Sequence, residues 1–348
     1  MNKVISGKYG GGIGQGRLAA VTGPSSAGKS FIIGNIAREA QKQGCGLFVL
    51  DSENALDDVF MEALGVDTTR DDYVYRGVST ISQATVQVMS FLKSYRKHGE
   101  TQPFLIILDS IDMLRTDSQA ANYDKGDVKG DQGQHAKQVK AMPSDWVHDI
   151  KSLNVSIVCS KQVFQEQDPM SQKNPQTAWK FTESAKYAFS QILLVTKFML
   201  KDENAKKIPG RSDTQYSGIR LKAYGMKTRF TKPFQSASVE VPYETGMDPI
   251  DHHKGPYQFR MDPYDGLLAM AVTIGVVEQN GAWYTFGDKK FQSKNFDDHA
   301  EAILEAMIEK ESVFLEDATE GEIVEATESP AEARKRKIRE AVTADDAE

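Results

Sequence analysis

The sequence predicts an α/β fold with a mostly parallel central sheet, followed by a small α+β domain and a disordered acidic tail. Three observations carry this prediction. Apolar runs at residues 18–22, 47–50, 104–108, 155–159 and 192–195 are separated by helical segments, the pattern of strands buried on both faces. A glycine-rich loop joins the first run to a segment with helical spacing. The runs end at Gly23, Asp51, Asp109 and Ser160, and sheets of this kind bind ligands beyond the carboxyl ends of their strands.

Each element follows in order. Residues 1–16 are polar and end in Gly10-Gly11-Gly12-Ile13-Gly14-Gln15-Gly16. A dinucleotide fingerprint needs its glycines after a strand, and these precede the first one, so they read as a turn. Residues 31–41 form the first helix after the glycine loop. Two long polar stretches, 115–135 and 163–183, are long enough to be functional or disordered, and each follows a strand end on the ligand edge, which favours function; as a nucleic-acid contact, however, their lysines alone read as those of a solvated lid. Residues 242–263 are a proline-bearing connector. A helix at 265–275, a hairpin at 276–287 around Asn280-Gly281 and a helix at 297–310 complete the small domain. The expected domains are 1–241, 242–310 and a tail at 311–348, which has one aromatic residue, Phe314.

Composition narrows the class. The 348 residues are 40% hydrophobic and 26% charged, ordinary for a globular protein of two domains. No window holds 18 consecutive apolar residues, so no membrane-spanning helix is expected, and the amino terminus lacks the apolar stretch of a signal peptide. Only Cys45 and Cys159 occur, which excludes a disulfide framework or a cysteine zinc cage and points to a reducing, cytoplasmic setting. Of 49 acidic and 42 basic residues, 12 and 5 lie between positions 311 and 348, leaving 37 of each for the body. The net charge of -7 therefore belongs to the tail, and a neutral body still has room for a basic groove.

The most specific motif is Gly23-Pro24-Ser25-Ser26-Ala27-Gly28-Lys29-Ser30, which fits G-x-x-x-x-G-K-[ST] between a strand and a helix. Its glycines let backbone N–H groups curl around phosphate oxygens. Lys29 is expected to reach the terminal phosphates of ATP and Ser30 to ligate Mg²⁺. Asp109, at a strand end, is expected to hold the metal shell through water rather than merely cap a turn. Glu53, in Asp51-Ser52-Glu53-Asn54-Ala55-Leu56-Asp57, stays open on spacing alone: either it faces the terminal phosphate, or Ser52 or Glu53 caps the next helix. His252-His253 lacks further ligand spacing and reads as a loop pair. The Arg334-Lys335-Arg336-Lys337 run reads as a solvated helix face.

These residues resemble the RecA family of recombinases, and most closely its bacteriophage UvsX type, over residues 5–288. Residues 51–67 look like the family segment that links catalysis to adenine binding, and Leu105-Ile106-Ile107-Leu108-Asp109-Ser110 looks like its second nucleotide motif. Asp262-Pro263-Tyr264-Asp265-Gly266-Leu267 and Gly281-Ala282-Trp283-Tyr284 resemble the carboxyl-terminal part of UvsX-type proteins. The resemblance implies a RecA-like P-loop ATPase core that hydrolyses ATP with Mg²⁺. It implies that Glu53 activates water, Asp57 contacts the adenine edge, Phe60 stacks on the base, and Gln162 senses the γ-phosphate. It turns 117–135 and 163–183 into loops for single-stranded DNA. There Lys125, Lys129, Lys173 and Lys180 meet phosphates, and Phe164 or Trp179 wedges between bases. Lys186-Tyr187 and Lys227-Thr228-Arg229 fall where family cations reach the neighbouring subunit's nucleotide. Alone, Lys227 and Arg229 read as a basic turn after a strand.

The implied function is ATP-dependent pairing and strand exchange on single- and double-stranded DNA, in a homo-oligomer (filament or ring), with single-strand-binding and loader proteins as further partners. The family's amino-terminal docking segment is not matched. The expectation therefore includes a recombination mediator or annealing factor that builds no long filament. A hexameric helicase of the same fold is disfavoured by the carboxyl-terminal likeness.

Overall fold

The sheet order explains where the ligand edge lies. The computed structural model describes residues 1–125, 133–168, 170, 179–181, 186–201, 216–242, 264 and 266–322. Five strands match the expected apolar runs: β1 (Leu18–Gly23), β2 (Gly46–Asp51), β4 (Phe104–Asp109), β5 (Val155–Gln162) and β8 (Gln191–Lys201). Three more join them: β3 (Tyr73–Gly77), β9 (Tyr216–Thr228) and β10 (Ser236–Pro242). The order is β10-β9-β8-β1-β5-β4-β2-β3. The six strands from β8 to β3 run parallel, and β9 and β10 extend the sheet antiparallel. The expected mostly parallel sheet is thus observed. A two-stranded ribbon, β6 (Phe164–Gln165) with β7 (Trp179–Lys180), stands beyond β5.

Alternation along the strands feeds two cores. Leu18, Ala20, Phe48, Leu50, Ile106 and Leu108 face one side with the buried stripes of α4 (Ile81–His98) and α6 (Gln134–Ile150). Ala19, Val21, Leu47, Val49, Leu105 and Ile107 face the other, against α2 (Lys29–Lys42) and α3 (Asp58–Ala63). The helix α4 shows why such residues make a helix. Thr80 and Gln83 form a reciprocal capping box, Gly99 ends it with φ 63, and Ile81, Ala84, Val88, Leu92 and Tyr95 line one buried stripe. Leu92 is fully buried, so Leu92→Ala is expected to cost about 2–5 kcal/mol, read as a lower denaturant midpoint.

The glycine run at residues 10–16 is turn and irregular backbone as expected, but residues 2–6 add an element. A short helix, α1 (Asn2–Ser6), buries Val4 and Ile5 in the core on the α2 side. The glycine run behind it is tied down by one side chain: Gln191 Nε2 donates to the carbonyls of Ile5 (2.8 Å) and Gly12 (3.0 Å), and Gly14 N donates to Gln191 Oε1 (3.1 Å). The expected loop at 117–135 is partly helical. Thr116 and Gln119 form a second capping box, starting α5 (Asp117–Asp124), and α6 begins at Gln134.

The chain divides into compact units Met1–Gly266 and Leu267–Glu348. The connector at 242–263 lies outside the described residues apart from Pro242. Within the second unit, α7 (Leu267–Thr273) precedes a sheet of β11 (Glu278–Asn280), β12 (Trp283–Phe286) and β13 (Lys289–Gln292), then α8 (Asp297–Glu322). The hairpin falls where expected, with Gly281 at φ 61 supplying the turn. The helix α8 corrects the tail reading, because it continues through residues 311–322. Ala300, Ile303 and Met307 set a buried helical spacing, and Val313-Phe314-Leu315 prolongs the apolar run in sequence, which the count of acids had outweighed. Residues 323–348, with the basic run at 334–337, lie outside the described residues, as does His252-His253.

Candidate functional site

The glycine-rich loop leaves β1 between β5 and β8. Gly23 lies directly across from Gln162 in the β1–β5 register. A Cβ at Gly23 would stand 2.4 Å from the Val195 carbonyl oxygen, so the neighbouring strand excludes any side chain there. Gly28 has φ +89 and caps α2 without a side-chain hydrogen bond. The first-turn N–H groups of α2 therefore face the loop, the arrangement that binds anions. Ser25 and Ser26 are exposed on the crown, Pro24 is half-buried, and Ala27 is buried. Lys29 Nζ lies inside the curl and donates to the carbonyls of Pro24 (2.9 Å) and Gly23 (3.3 Å). Burial lowers its pKa, while Asp109, Glu53 and Asp112 oppose the shift.

Asp109 ends β4 and is 1% exposed. Burial pushes its carboxyl up, the Ser160 and Ser30 hydroxyls draw it down, and the charges of Glu53 and Asp51 push it up again. The Ser160 hydroxyl donates to Oδ1. The other oxygen, Oδ2, is buried with no hydrogen-bond partner. A buried, unsatisfied carboxylate oxygen near a hydroxyl and beneath a phosphate loop fits a hard divalent cation such as Mg²⁺. Ser30 and Asp109 are the residues that would hold it. When bound, the ion supplies charge neutralisation for the phosphate oxygens.

Of the two alternatives for Ser52 and Glu53, the capping one is removed. Asp57, not Ser52 or Glu53, caps α3: its Oδ1 accepts from Phe60 N at 2.8 Å. Glu53 instead accepts a hydrogen bond from the Ser110 hydroxyl at the end of β4. Its loop is clamped from below. Asp51 accepts from Glu53 N (2.9 Å), Leu56 N (2.8 Å) and the Tyr75 hydroxyl (3.1 Å). Ser52 exchanges hydrogen bonds with the Ser110 backbone, both at 2.8 Å. Glu53 is thus fixed beside Asp109 and Lys29 while remaining exposed. Phe60 is half-buried and packs on the core beneath α3.

Gln162 joins this edge through its backbone. Its N–H donates to Asp112 Oδ2 at 2.6 Å. Lys227 and Arg229 do not converge with the loop. Lys227 pairs with Ile192, and Arg229 N donates to the Ser190 carbonyl, level with Leu18 at the start of β1. Arg229 is thus level with a point five residues from Gly23, roughly 16 Å along the strand, and Lys227, through Ile192, is level with Ala20, three residues and roughly 10 Å away. There Lys227 Nζ donates to the Lys186 carbonyl and Arg229 to the Tyr187 carbonyl (3.2 Å). Burial, then Arg229 and Lys186, lower the Lys227 pKa.

The expected DNA loops are described in part. Phe164 is 68% exposed on β6, where it pairs with Lys180, and Lys125 ends α5 as an exposed residue. Lys129 and Lys173 lie outside the described residues. Sequence reasoning missed Asp51 as a clamp, Tyr75, Ser110 and the pair Asp112–Lys161. Asp51 carried a signal, being a strand-end carboxylate before the Glu53 loop. The others depend on contacts between distant segments.

A glycine loop over a parallel sheet, a lysine within it and an unsatisfied aspartate on the next-but-one strand define a P-loop nucleotide-binding α/β protein. Residues 5–248 match the RecA N-terminal domain, so the chain belongs to the RecA family. It is similar to Protein RecA of Thermus aquaticus, 26% identical over 294 residues, covering 80% of this chain and 72% of the relative. It is also similar to Protein RecA of Acholeplasma laidlawii, 27% identical over 290 residues (80% and 74%), and of Teredinibacter turnerae, 25% over 296 residues (82% and 73%). The fold is therefore RecA-like. At the level of the family this means DNA recombination and repair, with ATP and Mg²⁺. No helix among the described residues is long and apolar enough to cross a membrane.

Proposed function

We propose that this chain is an ATP-dependent DNA recombinase that binds single-stranded DNA, pairs it with a homologous duplex and exchanges strands. The observation that carries the reading is the convergence of Lys29, Asp109 and Glu53 at the strand ends, on a chain of the RecA family. Lys29 and the α2 N-terminus bind the phosphates, and Ser30 and Asp109 hold Mg²⁺. Glu53, held by Ser110, orients the attacking water, and Gln162 senses the terminal phosphate. Asp57 and Phe60 lie near the base. Lys227 and Arg229, too far from their own loop, serve the nucleotide of a neighbouring subunit in a filament or ring. The polar segments at 117–135 and 163–183 grip DNA. The likeness of residues 281–284 to the bacteriophage UvsX type belongs to this proposal, and so does a place in the host cytoplasm. Single-strand-binding and loader proteins are the further partners it implies.

The test is strand exchange between a circular single strand and a homologous linear duplex with ATP and Mg²⁺. Joint molecules and exchanged products are expected. Annealing of complementary single strands without any uptake of duplex would replace this reading with that of an annealing factor.

A further inference from the structure

Two charged residues outside the nucleotide site occupy a place where buried charge is costly. Lys161 lies on β5 with its side chain 5% exposed, and Asp112 lies just past β4 with its side chain 21% exposed. Lys161 Nζ donates to Asp112 Oδ1 at 2.5 Å. The other carboxylate oxygen accepts from Gln162 N. The same ammonium stands 6.0 Å from the centre of the Phe181 ring. Desolvating such a pair offsets most of its Coulombic gain, so folding alone does not require it.

Its position connects three things. Gln162 faces Gly23 across the β1–β5 register, so Asp112 fixes the strand end beside the phosphate loop. Asp112 also acts electrostatically on Lys29. On the far side, Asp112 precedes Leu114, whose carbonyl bonds His135 Nε2 at 2.7 Å, closing the base of the polar segment between them. The second polar segment leaves β5 at Val163 and returns at Phe181, both buried in the same core as Leu114.

We propose that Asp112 and Lys161 are positioning residues that couple the nucleotide state at Gln162 to the bases of both polar segments, and so to the grip on single-stranded DNA. This rests on the recombinase reading above. An altered phosphate contact moves the Gln162 strand end. The shared carboxylate passes that movement to the Leu114 side, and the ammonium passes it to Phe181.

The experiment measures single-stranded DNA affinity with and without a non-hydrolysable ATP analogue, together with KM and kcat for ATP. In the double variant Asp112→Asn/Lys161→Met, Asn retains an acceptor for Gln162 N and Met fills the lysine stem, leaving no unpaired buried charge. The nucleotide-dependent gain in DNA affinity is expected to fall at least tenfold and DNA stimulation of kcat to vanish, with KM for ATP within about threefold of the parent. Lys161→Arg keeps the pair and is expected to keep the gain, which also tests the proposal should the double variant not fold. A full nucleotide gain in the folded double variant overturns the coupling role, as does loss of the gain in Lys161→Arg with normal KM. Absence of any nucleotide gain in the parent protein instead overturns the recombinase reading, and this inference with it.

Discussion

The two ends of the parallel sheet are built on opposite principles. At the carboxyl end, Asp109, Glu53 and Asp112 act on Lys29; the Ser160 hydroxyl holds Asp109, the Ser110 hydroxyl holds Glu53, and Asp51 clamps the Glu53 loop through its backbone N–H groups. At the amino end of β1, Lys227 and Arg229 bond backbone carbonyls, and with Lys186 they make a positive cluster. The first end is pre-organised for a phosphate and a cation within one chain. The second is a concentration of positive charge tied to backbone carbonyls. The difference teaches that the phosphate loop and the basic cluster are separate constructions, which under the proposed function makes one a socket and the other a plug for a neighbouring subunit.

Variants at the two ends test that division, beginning with the largest expected effect. Lys29→Ala should reduce ATP turnover by at least about 10⁴-fold, measured as phosphate release with single-stranded DNA present, because the loop loses its only internal cation among the described residues. Glu53→Gln should retain nucleotide binding within about threefold and lose roughly 10³ in kcat. Unimpaired hydrolysis in that variant removes Glu53 from the water-orienting role. At the other end, Lys227→Ala/Arg229→Ala should lose about 10² in kcat. Mixing it with Lys29→Ala should restore turnover above either alone, since each supplies what the other lacks. No recovery on mixing would mean that the cluster does not act between subunits.

The smallest effect concerns stability. Burial raises the Asp109 carboxyl in the folded chain, so folding favours its protonated form. The sign follows from linkage: the unfavourable contribution is absent below the ordinary aspartate range near pH ~4, and it is fully developed once pH exceeds the raised folded value. Asp109→Asn should therefore increase the thermal midpoint of the nucleotide- and Mg²⁺-free protein at pH 7. The gain should shrink as the pH is lowered through the folded value. A gain independent of pH would show that the carboxylate is not strained there.

How much of this was legible in the sequence depends on how each element is stabilised. The strands β1, β2, β4, β5 and β8 announce themselves because they are apolar on both faces. The strand β3 escaped because it lies at the edge, with Tyr73, Val74 and Tyr75 only half-buried. The strand β9 escaped because the charged Arg220 and Lys222 alternate with the buried Leu221 and Ala223, which leaves no continuous apolar run. The phosphate loop was readable as a contiguous motif. The capping alternative at Glu53 could not be removed from spacing, because that required seeing Asp57 take the cap and the Ser110 hydroxyl, 57 residues away, bond Glu53. The Asp112–Lys161 pair spans 49 residues, and nothing in the pattern of β5 marks its lysine as buried.

The close approach of Val195 to Gly23 has a consequence for reading lineages. A substitution at Gly23 is blocked by sheet packing, whether or not a triphosphate ever arrives. A descendant that abandoned catalysis would still spell glycine at that position. Its survival testifies to architecture. Whether the enzyme is still alive must be judged at Lys29 and Glu53, where packing imposes no such veto.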